Sequence, residues 1–99
     1  MLHIVNKSPH QSPSLASCLR AARDGHALLL TEDAVYAATA ADAAGCGLQA
    51  AARRLKVYVL QPDLEARGMV ARRIEGVEPV DYAGFVDLVA QHATNQIWL

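Results

Sequence analysis

Cysteine is the residue of this chain best suited to covalent chemistry, and it stands at positions 18 and 46. Cys18 lies in "SPSLASCLRAAR", residues 12–23, between a proline-led helix start and a basic helix end. A thiol there could act as a nucleophile, provided it ionises and can be reached. The spacing does not favour ionisation. With Ser12 as cap and Pro13 as the first helical residue, Cys18 falls about five residues inside the helix, past the first turn where the helix dipole acts. It also shares an i, i+3, i+4, i+7 stripe with Leu15, Leu19 and Ala22, the pattern of a buried face. Free cysteine is among the most buried residue types. From the residues alone, Cys18 reads first as a core thiol and second as a reactive one. Cys46 lies between Gly45 and Gly47 with no basic residue nearer in sequence than Arg53, and reads as a loop residue without a role.

Other chemistries lack their patterns. Neither GxGxxG nor GxxxxGK[ST] occurs, so no nucleotide loop is expected. Ser8, Ser12, Ser14 and Ser17 lack the GxSxG elbow that would expose a nucleophile. His3, His10, His26 and His92 show no ligand spacing and read as surface or strand-end residues. No metal and no cofactor are therefore expected. Two acidic groups, Glu32–Asp33 and Asp63–Glu65, could make a carboxylate pair, but helix capping explains Asp33 and Asp63 at least as well.

The elements that position these groups alternate along the chain. "LHIVN" (2–6), "HALLLTE" (26–32), "LKVYVL" (55–60), "GVEPVDY" (76–82) and the closing "NQIWL" read as strands. The second is continuously apolar, as when both faces of a sheet are covered, and Pro79 suits the fourth to a sheet edge. Between them lie the helix led by Pro13 and stopped at Gly25, a short helix over "DAVYAATA" capped by Asp33, and a broken Ala-rich segment over 40–52. One helical turn ends at Gly68, and a last helix over 83–92 places Phe85, Val86, Val89 and Ala90 on one face. Strands alternating with helices imply an α/β fold: one small domain over 1–99, with an open, mostly parallel five-stranded sheet and helices on both faces. Working groups in such sheets sit beyond the carboxyl ends of the strands, here Asn6–Ser12, Glu32–Asp33 and Gln61–Asp63.

Composition bounds the partners. A net charge of −1 gives no electrostatic reason to bind nucleic acid or an anionic membrane. The pairs Arg53–Arg54 and Arg72–Arg73 read as solvated ends of helices or loops. No apolar run approaches the ~18 residues of a membrane span, and the N-terminus is not a signal peptide. Two cysteines without such a signal read as reduced thiols of a cytoplasmic protein. The chain is 53% apolar, yet about nineteen of those residues are alanine, and Leu, Ile, Val and Phe make about a quarter of the chain. That thin core points to alanine-rich surface packed against another subunit.

Four stretches together resemble one family: "LHIVNKSP", "LLLTEDAVYAA" (28–38), "LKVYVLQPDLEARG" (55–68) and "VDYAGFVDLVAQH…QIWL". In this order, over nearly the whole chain, they are similar to the DsrH/TusB family of small sulfur-relay subunits. The resemblance implies a DsrEFH-like fold and a heterohexamer with DsrE/TusD-like and DsrF/TusC-like sister subunits. That assembly passes persulfide sulfur to a DsrC/TusE-like acceptor, in cytoplasmic sulfur oxidation (DsrH branch) or in synthesis of wobble 2-thiouridine (TusB branch). It makes this chain at most an accessory subunit of a sulfurtransferase, with the principal sulfur-carrying cysteine in the DsrE/TusD sister. A cysteine after the first strand is typical of DsrH-type chains, so Cys18 tilts the resemblance towards DsrH. Cys18 becomes a candidate sulfur-binding thiol, and the competing role is a scaffold subunit in which Cys18 is only structural.

Overall fold

Short apolar runs become strands, and the computed structural model places them in one sheet; it describes residues 1–99. The strands are β1 (Leu2–Val5), β2 (Ala27–Leu30), β3 (Lys56–Leu60), β4 (Val77–Val80) and β5 (Asn95–Trp98), in the order β4-β3-β2-β1-β5. All four pairings are parallel, with Val5 opposite Leu30 on one side and Trp98 on the other. β1 and β2 are buried at every position, which explains the continuous apolar sequence of β2; β1 is apolar but for His3. Pro79 lies in β4 at the edge, where its missing N–H costs no ladder bond.

The connections follow from handedness. Steps from β1 to β2, β3 and β4 run in one direction across the sheet, and right-handed crossovers put their helices on one face. These are α1 (Ser14–Ala21), a 3₁₀ helix (Glu32–Ala38), α2 (Leu48–Ala51) and α3 (Gln61–Ala66). The return from β4 to β5 spans the whole sheet, so α4 (Tyr82–Gln91) lies alone on the other face. Leu15, Cys18, Val35, Leu48 and Leu64 accordingly pack with Val5, Leu28, Leu30, Val57 and Val59. Leu88 and Phe85 pack with Leu2, Ile4 and Leu29. Fully burying a Leu or Val side chain stabilises by about 1.5–3 kcal/mol, so the first cluster dominates the fold.

Local details depart from expectation in two places. α1 begins at Ser14, with Pro13 in the cap position, and the Ser12 hydroxyl accepts the Ser14 N–H at 3.2 Å. α4 is rotated relative to the stripe expected from Phe85, Val86, Val89 and Ala90. A Cβ on Gly84 would meet the Val80 Cβ at 3.0 Å, so the glycine lets the helix seat closely and turns Phe85 and Leu88 to the sheet. Asp81 fixes that start by accepting the Gly84 N–H at 2.8 Å. Tyr82, Val86 and Val89 are left 61%, 66% and 36% exposed. Ile97 of β5, in register with Ile4 on the same sheet face, is 59% exposed.

Candidate functional site

The crossovers change face between β3 and β4, and a ligand crevice in an open parallel sheet is expected at such a switch. An open groove of about 520 Å³ lies there, lined by Gln61, Arg73, Pro79, Asp81 and Gly84 among others. The Asp81 carboxylate already satisfies the helix N-terminus above it, and its negative charge opposes an anionic ligand. A second open groove, of about 410 Å³, lies between the ends of β1 and β2 and is lined by Ser8, His10, Asp33, Tyr36 and Asp42. His10 Nε2 approaches Asp42 at 3.0 Å.

The acidic groups do not form a carboxylate pair, because an arginine stands between them. Arg67 donates from Nε to Asp33 Oδ1 at 2.9 Å, and its other guanidinium nitrogens reach Asp33 at 2.9 Å and Asp63 at 3.7 Å. Asp33 is therefore an ion-pair partner of α3 and not a helix cap. Asp63 caps a helix other than its own: its carboxylate accepts the N–H of Glu32, the first residue of the 3₁₀ helix, at 2.6 Å. Arg67 had a sequence signal, its i+4 spacing from Asp63. Glu32 has a φ of +50°, a region that costs a residue with a Cβ roughly 1–2 kcal/mol. Its side chain is exposed. Replacing Glu32 by Gly should therefore stabilise the chain by about 0.5–1 kcal/mol after the extra unfolded-state freedom of glycine is subtracted. Replacing it by Ala should leave the melting temperature unchanged, and calorimetry of the two variants tests this.

The thiols are both withdrawn from solvent. Cys18 is fully enclosed among the core residues, and burial pushes its thiol up to about 12, partly offset by the Arg54 guanidinium. That arginine is not the solvated residue expected. It donates to the carbonyls of Leu19 at 2.6 Å and Ala22 at 2.8 Å, closing the C-terminal end of α1. Cys46 is half-buried, with Sγ 3.8 Å from the Ala43 carbonyl and 3.9 Å from that of Ala37. Burial raises its thiol as well. The two grooves described above contain neither thiol. Cys46 lines an apolar groove with Ala16, Leu19 and Arg20 and, with Pro9, His10 and Asp42, a second groove of about 370 Å³ beside the end of β1.

Two histidines expected at the surface or at strand ends are brought together. His3 is 2% exposed inside β1, and its Nε2 lies 3.0 Å from His26 Nδ1. The parallel register sets His3 opposite Leu28, two residues beyond His26, a proximity that no ligand-spacing rule would find.

A sequence model described as "DsrH like protein" matches residues 7–95. Protein TusB of Pectobacterium parmentieri is 39% identical over 98 residues, covering 99% of this chain and 100% of that protein. Protein TusB of Escherichia coli strain SMS-3-5 is 36% identical over 99 residues, with the same coverage. Among solved structures, the ychN protein of E. coli superposes with a TM-score of 0.73 at 18% identity, over 98% of this chain and 97% of that one. A protein of unknown function from Methanobacterium thermoautotrophicum gives 0.70 at 15% identity, over 97% and 95%. The two structures share the fold, while the family match and the full-length identities carry the assignment: the chain belongs to the DsrH/TusB family.

Proposed function

We propose that this chain is an architectural subunit of a cytoplasmic sulfur-relay heterohexamer, shaping the assembly while a DsrE/TusD-like sister carries the persulfide. The observation that carries this reading is the enclosure of Cys18, whose thiol is pushed up to about 12. A relay cysteine must reach its donor as a thiolate, and neither condition is met while α1 stays on the sheet. The exposed apolar side chains of Tyr82, Val86 and Ile97 supply surface of the kind that subunit contacts use. DsrF/TusC-like and DsrE/TusD-like chains are the partners this reading needs, with a DsrC/TusE-like protein as acceptor. No helix is long and apolar enough to cross a membrane.

The branch follows from the acceptor. Relatives named TusB favour tRNA wobble 2-thiouridine, and the burial of Cys18 weakens the feature that tilted the resemblance to sulfur oxidation.

Intact-mass measurement tests the reading after the reduced protein meets a persulfide donor, alone and with its sister subunits. The expected result is no added sulfur on this chain, loading on the DsrE/TusD-like sister, and unchanged loading of that sister with Cys18→Ala. One added sulfur on this chain that vanishes only in Cys18→Ala would make Cys18 an auxiliary carrier and overturn the architectural role.

A further inference from the structure

We propose that His3, His26 and Trp98 form a hydrogen-bond relay with one permitted tautomeric register, which fastens the C-terminal edge strand β5 and releases it when either imidazole takes up a proton. The inference stands independently of the sulfur-relay reading. The relay starts at Trp98, whose indole Nε1–H donates to His3 Nδ1 at 3.1 Å. An indole nitrogen only donates, so His3 Nδ1 presents a lone pair and neutral His3 carries its proton on Nε2. That nitrogen lies 3.0 Å from His26 Nδ1, which also accepts the backbone N–H of Arg23 at 3.2 Å. His26 is thereby an acceptor at Nδ1 and holds its own proton on Nε2. A proton added to His3 at Nδ1 would face the indole N–H. A proton added to His26 at Nδ1 would face two N–H donors. Either event replaces a hydrogen bond with donor–donor repulsion.

The surroundings offer an added proton no compensation. The charged groups acting on the pair are the Met1 amino group and Arg23, both cationic. Asp24, the carboxylate nearest to His26 in sequence, is 84% exposed and turned to Arg54 at 3.5 Å. Burial, then His26 and the Met1 amino group, hold His3 below the usual histidine range. Lost hydration, then the same amino group and Arg23, lower His26. Folded-state values below the ordinary one mean that the relay is intact above about pH 6.5 and weakens as pH falls below it.

What the relay fastens is specific. β5 pairs with β1 alone, and Trp98 is its only side chain withdrawn from solvent. With the indole released, β5 keeps its backbone ladder and the Ser14 hydroxyl, which donates to the Leu99 carbonyl at 2.8 Å.

Nuclear magnetic resonance of the full chain tests this. Imidazole nitrogen spectra at about pH 7.5 should show both rings protonated at Nε2. Between about pH 7.5 and pH 5, exchange of the indole N–H and of the Ile97 and Trp98 amides, corrected for intrinsic rates, should speed up by about tenfold or more. Amides of β2 and β3 should not follow. Trp98→Phe keeps an aromatic ring, though a smaller one, and removes the donor, so its β5 amides should exchange faster at about pH 7.5 and lose the pH dependence. His10→Gln and His92→Gln should behave as wild type. An Nδ1-protonated His3, a wild-type β5 whose protection is flat over that range, or a pH dependence that persists in Trp98→Phe would each overturn the proposal.

Discussion

Iodoacetamide applied to the native chain at about pH 8 should modify Cys46 first and leave Cys18 unmodified until the chain unfolds. The expected difference is large. A thiol at about 12 is ionised at that pH to roughly one part in ten thousand, against roughly one in ten or more for an ordinary cysteine. Ionisation alone therefore slows Cys18 by about three orders of magnitude, and its full enclosure makes reagent entry depend on opening of the core. Modification of Cys18 should rise in step with unfolding in urea, followed by circular dichroism on the same samples. Cys46 starts from a raised thiol itself, so its own labelling should be slow but independent of unfolding. Equal native rates for the two thiols would mean that α1 leaves the sheet readily, which would return Cys18 to the list of sulfur carriers.

Replacing Arg54 by Met should destabilise the chain by about 2–3 kcal/mol and lower its melting temperature by roughly 10–20 °C. Met keeps an aliphatic stem of similar length and removes the guanidinium, so lost packing contributes little. The lost bonds run to the carbonyls of Leu19 and Ala22, groups that an α-helix leaves without intrahelical partners at its C-terminal end. A positive charge there also complements the helix dipole. The Asp24 pair contributes little, because Asp24 is 84% exposed. Arg53→Met is the control: Arg53 is exposed and its side chain makes no hydrogen bond or ion pair. Thermal unfolding of both variants decides the matter, and equal midpoints would show that water replaces the guanidinium without cost.

The inner strands were legible because burial writes itself as short, mostly apolar runs. β1, β2 and β3 fall within a residue or two of the runs that announce them, and Pro79 marked its strand as an edge. The Cys18 stripe was legible for the same reason: helical periodicity reports which residues face the core, and Cys18 is one of them. The rotation of α4 was not, because that helix carries two apolar stripes. Choosing between them needs the close seat of Gly84 on Val80, a contact between helix and strand that no periodicity contains. The acidic residues failed for a related reason. Capping rules assign Asp33 and Asp63 each to its own helix, whereas Arg67 and the Glu32 N–H draw both carboxylates across to a neighbouring element. Arg54 was likewise read from its neighbours in sequence, while its function is set by a helix end thirty-two residues upstream.

The strand order also bears on how the chain assembles. β1, the first strand in sequence, lies between β2 and β5, the last of the five. Until β5 docks, β1–β4 make four-fifths of the sheet, with the buried sequence of β1 standing at its rim. An apolar strand with an open hydrogen-bonding edge is a template for association with other chains. β5 thus covers a vulnerable edge as well as extending the sheet, and a chain whose β5 is undocked bares the edge of a fully buried strand.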